Sequence, residues 1–204
     1  MPDLTRDAER SRAAKLALRD RLLTSRRALT SSALAAAAVT IQDQALSLVR
    51  REDRSVLVAA YVPVGREPGG PGLVPSLAAH ARVLLPVLLP DNDLDWAAYP
   101  SATPSRLVDG PHGLREPDSP RLGVTAVTEA RIVFVPALAV DRRGVRMGRG
   151  GGSYDRALAR LSADTYVVAL LHDGELLDHV PSEPHDRPVH AAITPGGGLT
   201  VFDT

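Results

Sequence analysis

The sequence predicts an α/β protein: a single domain over residues 1–204, built as an open, mostly parallel sheet with helices on both faces. Three observations predict it. Apolar runs of strand length at 55–63, 83–90, 131–140 and 165–172 are nearly continuous rather than alternating, as in parallel strands buried on both faces. Helix-like segments stand before and between them, so that the two kinds of element alternate along the chain. Neither a repeat period nor a linker-like run divides the 204 residues, a length suited to one domain with a proper core.

Residues 5–29 read as a first helix, with Leu16, Leu22, Leu23 and Leu29 set among basic residues. Thr30-Ser31-Ser32 supplies N-cap chemistry for a second helix running to residue 49. The strand at 55–63 leads into the loop Gly65-Arg66-Glu67-Pro68-Gly69-Gly70 and a short helix over 73–80. In the strand at 83–90, Pro86 has no N–H to donate, so a bulge or strand end is expected there. Residues 94–99 alternate as an edge strand does, with Trp96 as a packed core ring. The Pro-, Gly- and Ser-rich stretch 100–128 reads as a long surface loop, a kind of segment that tends to be functional. After the strand at 131–140 come a glycine-rich turn and a helix over 154–161, carrying Tyr154, Leu158 and Leu161. Strands at 165–172 and 189–194 complete the sheet, and Gly196-Gly197-Gly198 is a turn.

Composition removes several function classes. Formal net charge is zero, so no bulk attraction to nucleic acid or acidic membranes is expected. The absence of cysteine excludes disulfides, thiolate metal sites and cysteine nucleophiles. The six histidines form no helical His-x-x-x-His pair, and His185 beside Asp186 does not make a catalytic pair, since sequence neighbours rarely face each other. The charged segment 3–12 has no apolar core of a signal peptide, and no run approaches the roughly 18 apolar residues of a membrane span. The expectation is a soluble, cytoplasmic protein. Its basic residues comprise one lysine, Lys15, and twenty-three arginines. A lysine that persists against such a drift suggests a need for a compact ammonium.

The segment from Asp141 to Arg156 carries the chemistry. A strand, a glycine-rich turn and a helix start form a geometry that holds phosphate, because glycines let backbone N–H groups approach an anion closely and a helix N-terminus adds its dipole. Arg142, Arg143, Arg146, Arg149 and Arg156 outnumber Asp141 and Asp155 there, a balance suited to a polyphosphate. A Walker loop is excluded, since Lys15 is far upstream and followed by Leu16. A dinucleotide fingerprint beginning at Gly148 would need glycine where Ser153 stands.

Asp141, Gly144, Arg146, Gly148, Gly150, Gly152, Tyr154, Asp155 and Arg156 resemble the signature of the 5-formyltetrahydrofolate cyclo-ligase family, with Met147 in place of a leucine and Ser153 in place of the first of two tyrosines. Four further elements resemble that family: the pair Lys15 and Arg19, four residues apart on one helical face; Glu67, the nearest match to a Gly-Glu-x-x-Thr segment, with Arg66 inserted after Gly65 and no threonine following; Gly113-Leu-Arg-Glu-Pro117; and the segment ending His185-Asp186. The resemblance implies ATP as co-substrate, Mg²⁺, and conversion of 5-formyltetrahydrofolate to 5,10-methenyltetrahydrofolate. It puts Lys15, Arg19, Arg146, Gly148, Arg149, Gly150, Gly151, Gly152, Ser153 and Tyr154 at ATP. Val62, Glu67 and the segment Arg149 to Ser153 fall at the folate, Asp155 and Asp186 at the metal, and Tyr154 and Arg149 at the chemistry. A non-catalytic folate- or nucleotide-binding paralogue, or an ATP-independent sugar-phosphate isomerase or CoA-transferase-like enzyme, remain the alternative readings.

Overall fold

The computed structural model describes residues 4–100, 107–183 and 186–203, with side chains from residue 12 onward. Helices α1 (Leu4–Ala28) and α2 (Ser31–Val49) come first, and the Thr30 hydroxyl caps α2 by accepting from the Ala33 N–H at 3.2 Å. The chain then runs β1 (Leu57–Ala59), α3 (Leu73–Ala78), β2 (Arg82–Leu88), β3 (Leu94–Ala98), β4 (Leu107–Asp109), β5 (Arg115–Pro117), β6 (Ile132–Pro136), β7 (Ala139–Asp141), β8 (Arg146–Met147), α4 (Ser153–Leu158), β9 (Tyr166–Leu170), β10 (Leu176–Leu177), β11 (Ala191–Thr194) and β12 (Gly198–Val201).

Seven strands form the main sheet in the order β12-β11-β9-β6-β1-β2-β3. Its five inner strands are parallel, and antiparallel β3 and β12 close its edges. Both faces are dry, which is why these strands read as continuous apolar runs. Val58, Phe134, Val168 and Ile193 point to the face covered by α2 and α3. Their neighbours Ala59, Val133, Ala169 and Ala192 point to the other, where Leu158 of α4, Val127 and Trp96 pack. Each large apolar side chain so buried contributes about 1.5–3 kcal/mol. Against the expectation that no run resembles a membrane span, α2 is long and apolar enough by length and composition to cross one. Here it lies on the sheet, with Ile41 and Ala45 fully buried.

The strand order decides where a ligand can sit. From β1 the chain passes to β2 on one side, whereas β6 flanks β1 on the other. Connections therefore leave in opposite directions, and a crevice opens beyond the carboxyl ends of β1 and β6.

Several elements depart from their sequence reading. The apolar run 131–140 is two strands in two sheets. Pro136 ends β6, and β7 enters a three-stranded sheet ordered β10-β7-β8. The run stays apolar because Leu138 and Ala139 bury against Leu22 of α1, Met147 and Val180. The stretch 100–128 is not simply a loop: β4 and β5 form a hairpin, and Ala126–Glu129 is a short 3₁₀ helix over the second core. Pro86 neither bulges nor ends β2. Even-numbered residues of β2 direct their N–H groups away from β3, as Leu88 does towards the Glu116 carboxylate, and the last bond between β1 and β2 is from the Ala60 N–H to the Leu84 carbonyl at 2.9 Å. Pro86 therefore breaks no bond to β3 and stands where the bonding to β1 ends, a position open to proline. After the turn at Gly196-Gly197 the chain adds an unforeseen strand, β12.

Candidate active site

A cavity of about 460 Å³ lies at this crevice. Tyr61 and Val62 reach it from the end of β1, Pro86 and Leu88 from β2, and Pro136, Ala137 and Leu138 from the crossover between β6 and β7. The β4–β5 hairpin adds His112 and Leu114 from its turn and Arg115 from the start of β5. Fourteen residues singled out in the sequence all line this cavity: Lys15, Arg19, Val62, Glu67, Arg146, Gly148, Arg149, Gly150, Gly151, Gly152, Ser153, Tyr154, Asp155 and Asp186. His185, named with Asp186 as a sequence element, lies outside the described residues.

The cationic wall is assembled from segments far apart in the chain. Arg19 on α1 donates from Nε to the Gly148 carbonyl at 3.0 Å, which fastens the helix to the glycine loop. Gly150 has φ +103°, and a Cβ there would stand 3.3 Å from the Arg19 guanidinium carbon. Glycine thus permits both the backbone turn and the arginine's approach. Lys15 is not on a solvated face: it is 6% exposed and its ammonium lies 2.7 Å from Asp186 and 2.8 Å from Glu183. Burial works against its charge, but the hydrogen bonds to Asp186 and Glu183 outweigh it and hold the pKa above the usual lysine value. Helix α4 has six residues and no side-chain cap at Gly152, so its dipole is short, and the charged side chains dominate the field here.

Arg146 is a buried cation. Its Nη2 donates to Asp155 at 2.7 Å and its Nη1 to the Pro136 carbonyl at 3.3 Å, while the guanidinium lies 5.9 Å from the centre of the Tyr154 ring. Among the described residues its buried Nε meets no acceptor. A Cβ at residue 148 would come within 2.7 Å of the Arg146 Nη1, which explains that glycine. Opposite, Glu67 accepts from the Val64 N–H at 3.0 Å and pairs with Arg149 at 3.1 Å, linking its loop to the glycine loop. Burial, with nearby Glu67, raises the pKa of Tyr154 and of Tyr61, so both phenols stay protonated. Tyr154 can donate a hydrogen bond but does not act as a base at neutral pH.

Asp155 and Asp186 are each bonded to a cation in this structure, Arg146 and Lys15 respectively. Among the described residues, no three His, Cys, Asp or Glu side chains cluster as a metal cage. Mg²⁺ does not need such a cage, since it favours one or two carboxylates with phosphate oxygens and water. The donor set therefore fits Mg²⁺ delivered with a polyphosphate.

Two anchoring residues had no role assigned from sequence. Asp141 is fully buried and accepts from the N–H groups of Arg143 at 2.9 Å, Val145 at 3.1 Å and Val180 at 3.1 Å, besides the Arg143 guanidinium. Burial alone would raise its pKa, but these bonds overcome it and lower the value. The result is a tight turn, with Gly144 at φ +76°, that returns the chain as β8 and presents the glycine loop. Glu116 accepts from the Leu88 N–H at 2.9 Å and so ties the β4–β5 hairpin to the cavity rim. Each lies in one of the family-like elements, Asp141 in the glycine-rich signature and Glu116 in Gly113–Pro117, but a buried acceptor's partners cannot be read from spacing.

A profile of the 5-formyltetrahydrofolate cyclo-ligase family matches residues 11–195. The chain belongs to that family. A cyclo-ligase of Mycolicibacterium smegmatis is 46% identical over 151 residues, covering 71% of this chain and 76% of the relative. One from Haemophilus influenzae is 29% identical over 154 residues, covering 74% and 81%. Among solved structures, the 5,10-methenyltetrahydrofolate synthetase of Aquifex aeolicus superposes with a TM-score of 0.74 at 23% identity, covering 93% of each chain. The Mycoplasma pneumoniae synthetase gives 0.68 at 17% identity, covering 87% of this chain and 96% of that one. At those identities the structures establish the shared cyclo-ligase fold.

Proposed function

We propose that this protein is an ATP-dependent cyclo-ligase that converts 5-formyltetrahydrofolate to 5,10-methenyltetrahydrofolate, with release of ADP and phosphate. One observation carries the reading: Lys15 and Arg19 of α1 and the Gly148 to Gly152 loop line a single cavity together with the apolar side chains of Val62, Pro86, Leu88 and Leu114. Such a cavity suits a polyphosphate on one side and a flat heterocycle on the other. ATP is required chemically because an amide-like formyl oxygen is a poor leaving group. In the proposed sequence the γ-phosphoryl passes to that oxygen, N10 attacks the formyl carbon, and phosphate departs as the ring closes.

The chain's part is positioning and charge neutralisation. Lys15, Arg19, Arg146 and Arg149, with the backbone N–H groups of the glycine loop, hold the phosphates. Glu67 and Val62 contact the folate, and Tyr154, kept protonated by burial, donates towards the reacting end. Mg²⁺ bound through Asp155 and Asp186 would neutralise phosphate charge, for which Arg146 and Lys15 must share or release those carboxylates. Cytoplasmic location and a monomeric state complete the proposal.

The test follows the absorbance of the methenyl product from 5-formyltetrahydrofolate with and without Mg-ATP. Turnover only with Mg-ATP supports the reading. Turnover without nucleotide, or binding of both ligands with no product, replaces it with an ATP-independent enzyme or a non-catalytic paralogue. Asp155→Asn and Asp186→Asn should each raise the Mg²⁺ concentration for half-maximal rate. Unchanged metal dependence in both variants removes these carboxylates from the metal site.

A further inference from the structure

A third buried ion pair, besides Lys15–Asp186 and Arg146–Asp155, puts its arginine in the wall of the same cavity and has no part in the scheme above. Arg26, near the end of α1, is 5% exposed, and Glu175, just before β10, is 4% exposed. The guanidinium and carboxylate meet side-on, with Nε to Oε1 at 2.6 Å and Nη2 to Oε2 at 2.8 Å. Nη2 also donates to the Ala137 carbonyl at 2.5 Å, on the crossover where the chain leaves the main sheet. Glu175 is itself held, since its Oε2 accepts from the His172 N–H at 2.8 Å.

This arrangement uses one edge of the guanidinium and leaves the other. Among the described residues Nη1 enters none of these bonds, and Arg26 lines the cavity. A planar guanidinium has its donors in a fixed fork, so a carboxylate gripping the Nε–Nη2 edge sets the direction of Nη1. Arg26 also lies close enough to the buried Tyr61 to oppose the rise that burial imposes on that phenol's pKa. The surroundings tie the pair to the folate side rather than the phosphate side. Arg66, beside Glu67, donates to the Leu29 carbonyl at the end of α1, and its own carbonyl lies 2.9 Å from His172 Nε2. The Glu67 loop, the end of α1 and the 172–175 turn are therefore one connected unit around Arg26.

We propose that Arg26, aimed by Glu175, is a substrate-positioning residue whose Nη1 edge donates to a carbonyl or carboxylate oxygen of the ligand held beside Glu67 and Tyr61. The inference rests on the cyclo-ligase reading for the identity of that ligand, 5-formyltetrahydrofolate. A cation fixed in direction and shielded from water orients an oxygen better than a mobile surface arginine, because the cost of holding it is met before the ligand arrives.

The experiment measures calorimetric affinity for 5-formyltetrahydrofolate and, separately, for Mg-ATP, in the parent, Arg26→Lys, Glu175→Gln and the double variant, with thermal unfolding alongside. Arg26→Lys keeps the charge and loses the fork, and should weaken folate binding about ten- to a hundredfold, the worth of one charge-assisted hydrogen bond. Mg-ATP affinity should stay within about twofold, the discrimination a merely structural pair would not give. Glu175→Gln should weaken folate binding in the same direction but less, and the double variant should be no worse than Arg26→Lys alone. Equal weakening of both ligands, unchanged folate affinity in folded variants, or failure of both single variants to fold would each overturn the proposal. A parent that binds Mg-ATP but no folate overturns the cyclo-ligase reading first, and a parent that binds folate keeps the two questions separate.

Discussion

Replacing Asp141 with asparagine isolates what holds the glycine loop in place. The carboxylate is 0% exposed and both oxygens are occupied. Oδ1 takes the N–H groups of Arg143 and Val145, and Oδ2 takes the Val180 N–H and the Arg143 guanidinium. Asparagine can keep the first set. Its NH₂ must then face the Val180 N–H and a guanidinium, donor against donor. Losing the Val180 bond to a charged acceptor and leaving that buried N–H unmatched costs about 2–3 kcal/mol. The Arg143 side chain is 56% exposed, so its share is discounted to under about 1 kcal/mol. Together Asp141→Asn should cost about 2–4 kcal/mol, or roughly 5–15 °C in Tm for a chain of this size. Because the folded pKa lies below the usual 3.8, the aspartate's contribution is complete above that pH and is lost as pH falls through the folded value. Urea unfolding of parent and variant between pH 7 and pH 3 should therefore show a gap that is constant near neutrality and begins to narrow below 3.8. A gap under about 1 kcal/mol at pH 7, or one that widens in acid, refutes the reasoning.

Three further outcomes follow from the same geometry. Gly150→Val should weaken Mg-ATP binding more than folate binding, since φ +103° is strained for valine and its Cβ would press on Arg19; equal nucleotide affinity in a folded variant contradicts this. Lys15→Ala should lower kcat/KM for ATP by about ten- to a hundredfold and also destabilise the fold, because Asp186 loses its buried partner, while Lys15→Arg should be impaired less. Near-parental kinetics and Tm for Lys15→Ala would return the residue to a passive role. His190 accepts the Val167 N–H at Nδ1, and burial lowers its pKa, so its stabilising effect should be full above 6.5 and fall away as pH drops below that value; His190→Asn should flatten that part of the stability curve, and an unchanged slope rejects the assignment.

The local signals in this chain were strong where burial and chemistry act on neighbours in sequence. Strands buried on both faces must be apolar throughout, so the parallel sheet was legible from the runs around Val58, Phe134 and Val168. Glycines with arginines between Asp141 and Arg156 mark close backbone approach and positive charge whatever lies across from them, and the solitary Lys15 was legible as a residue worth testing. What sequence could not supply is direction and partnership. An unbroken apolar run does not reveal that Pro136 hands the chain to a second sheet, because Ala139 and Val140 are as dry in the new sheet as Phe134 is in the old. Nor does a motif say which cation meets which carboxylate. Lys15 with Asp186 and Glu183, Arg146 with Asp155, and Arg26 with Glu175 are chosen only when segments distant in the chain are brought together. Hydrophobic burial is set residue by residue and so is written locally. A buried charge is tolerable only beside its counter-charge, and the position of that counter-charge belongs to the tertiary fold.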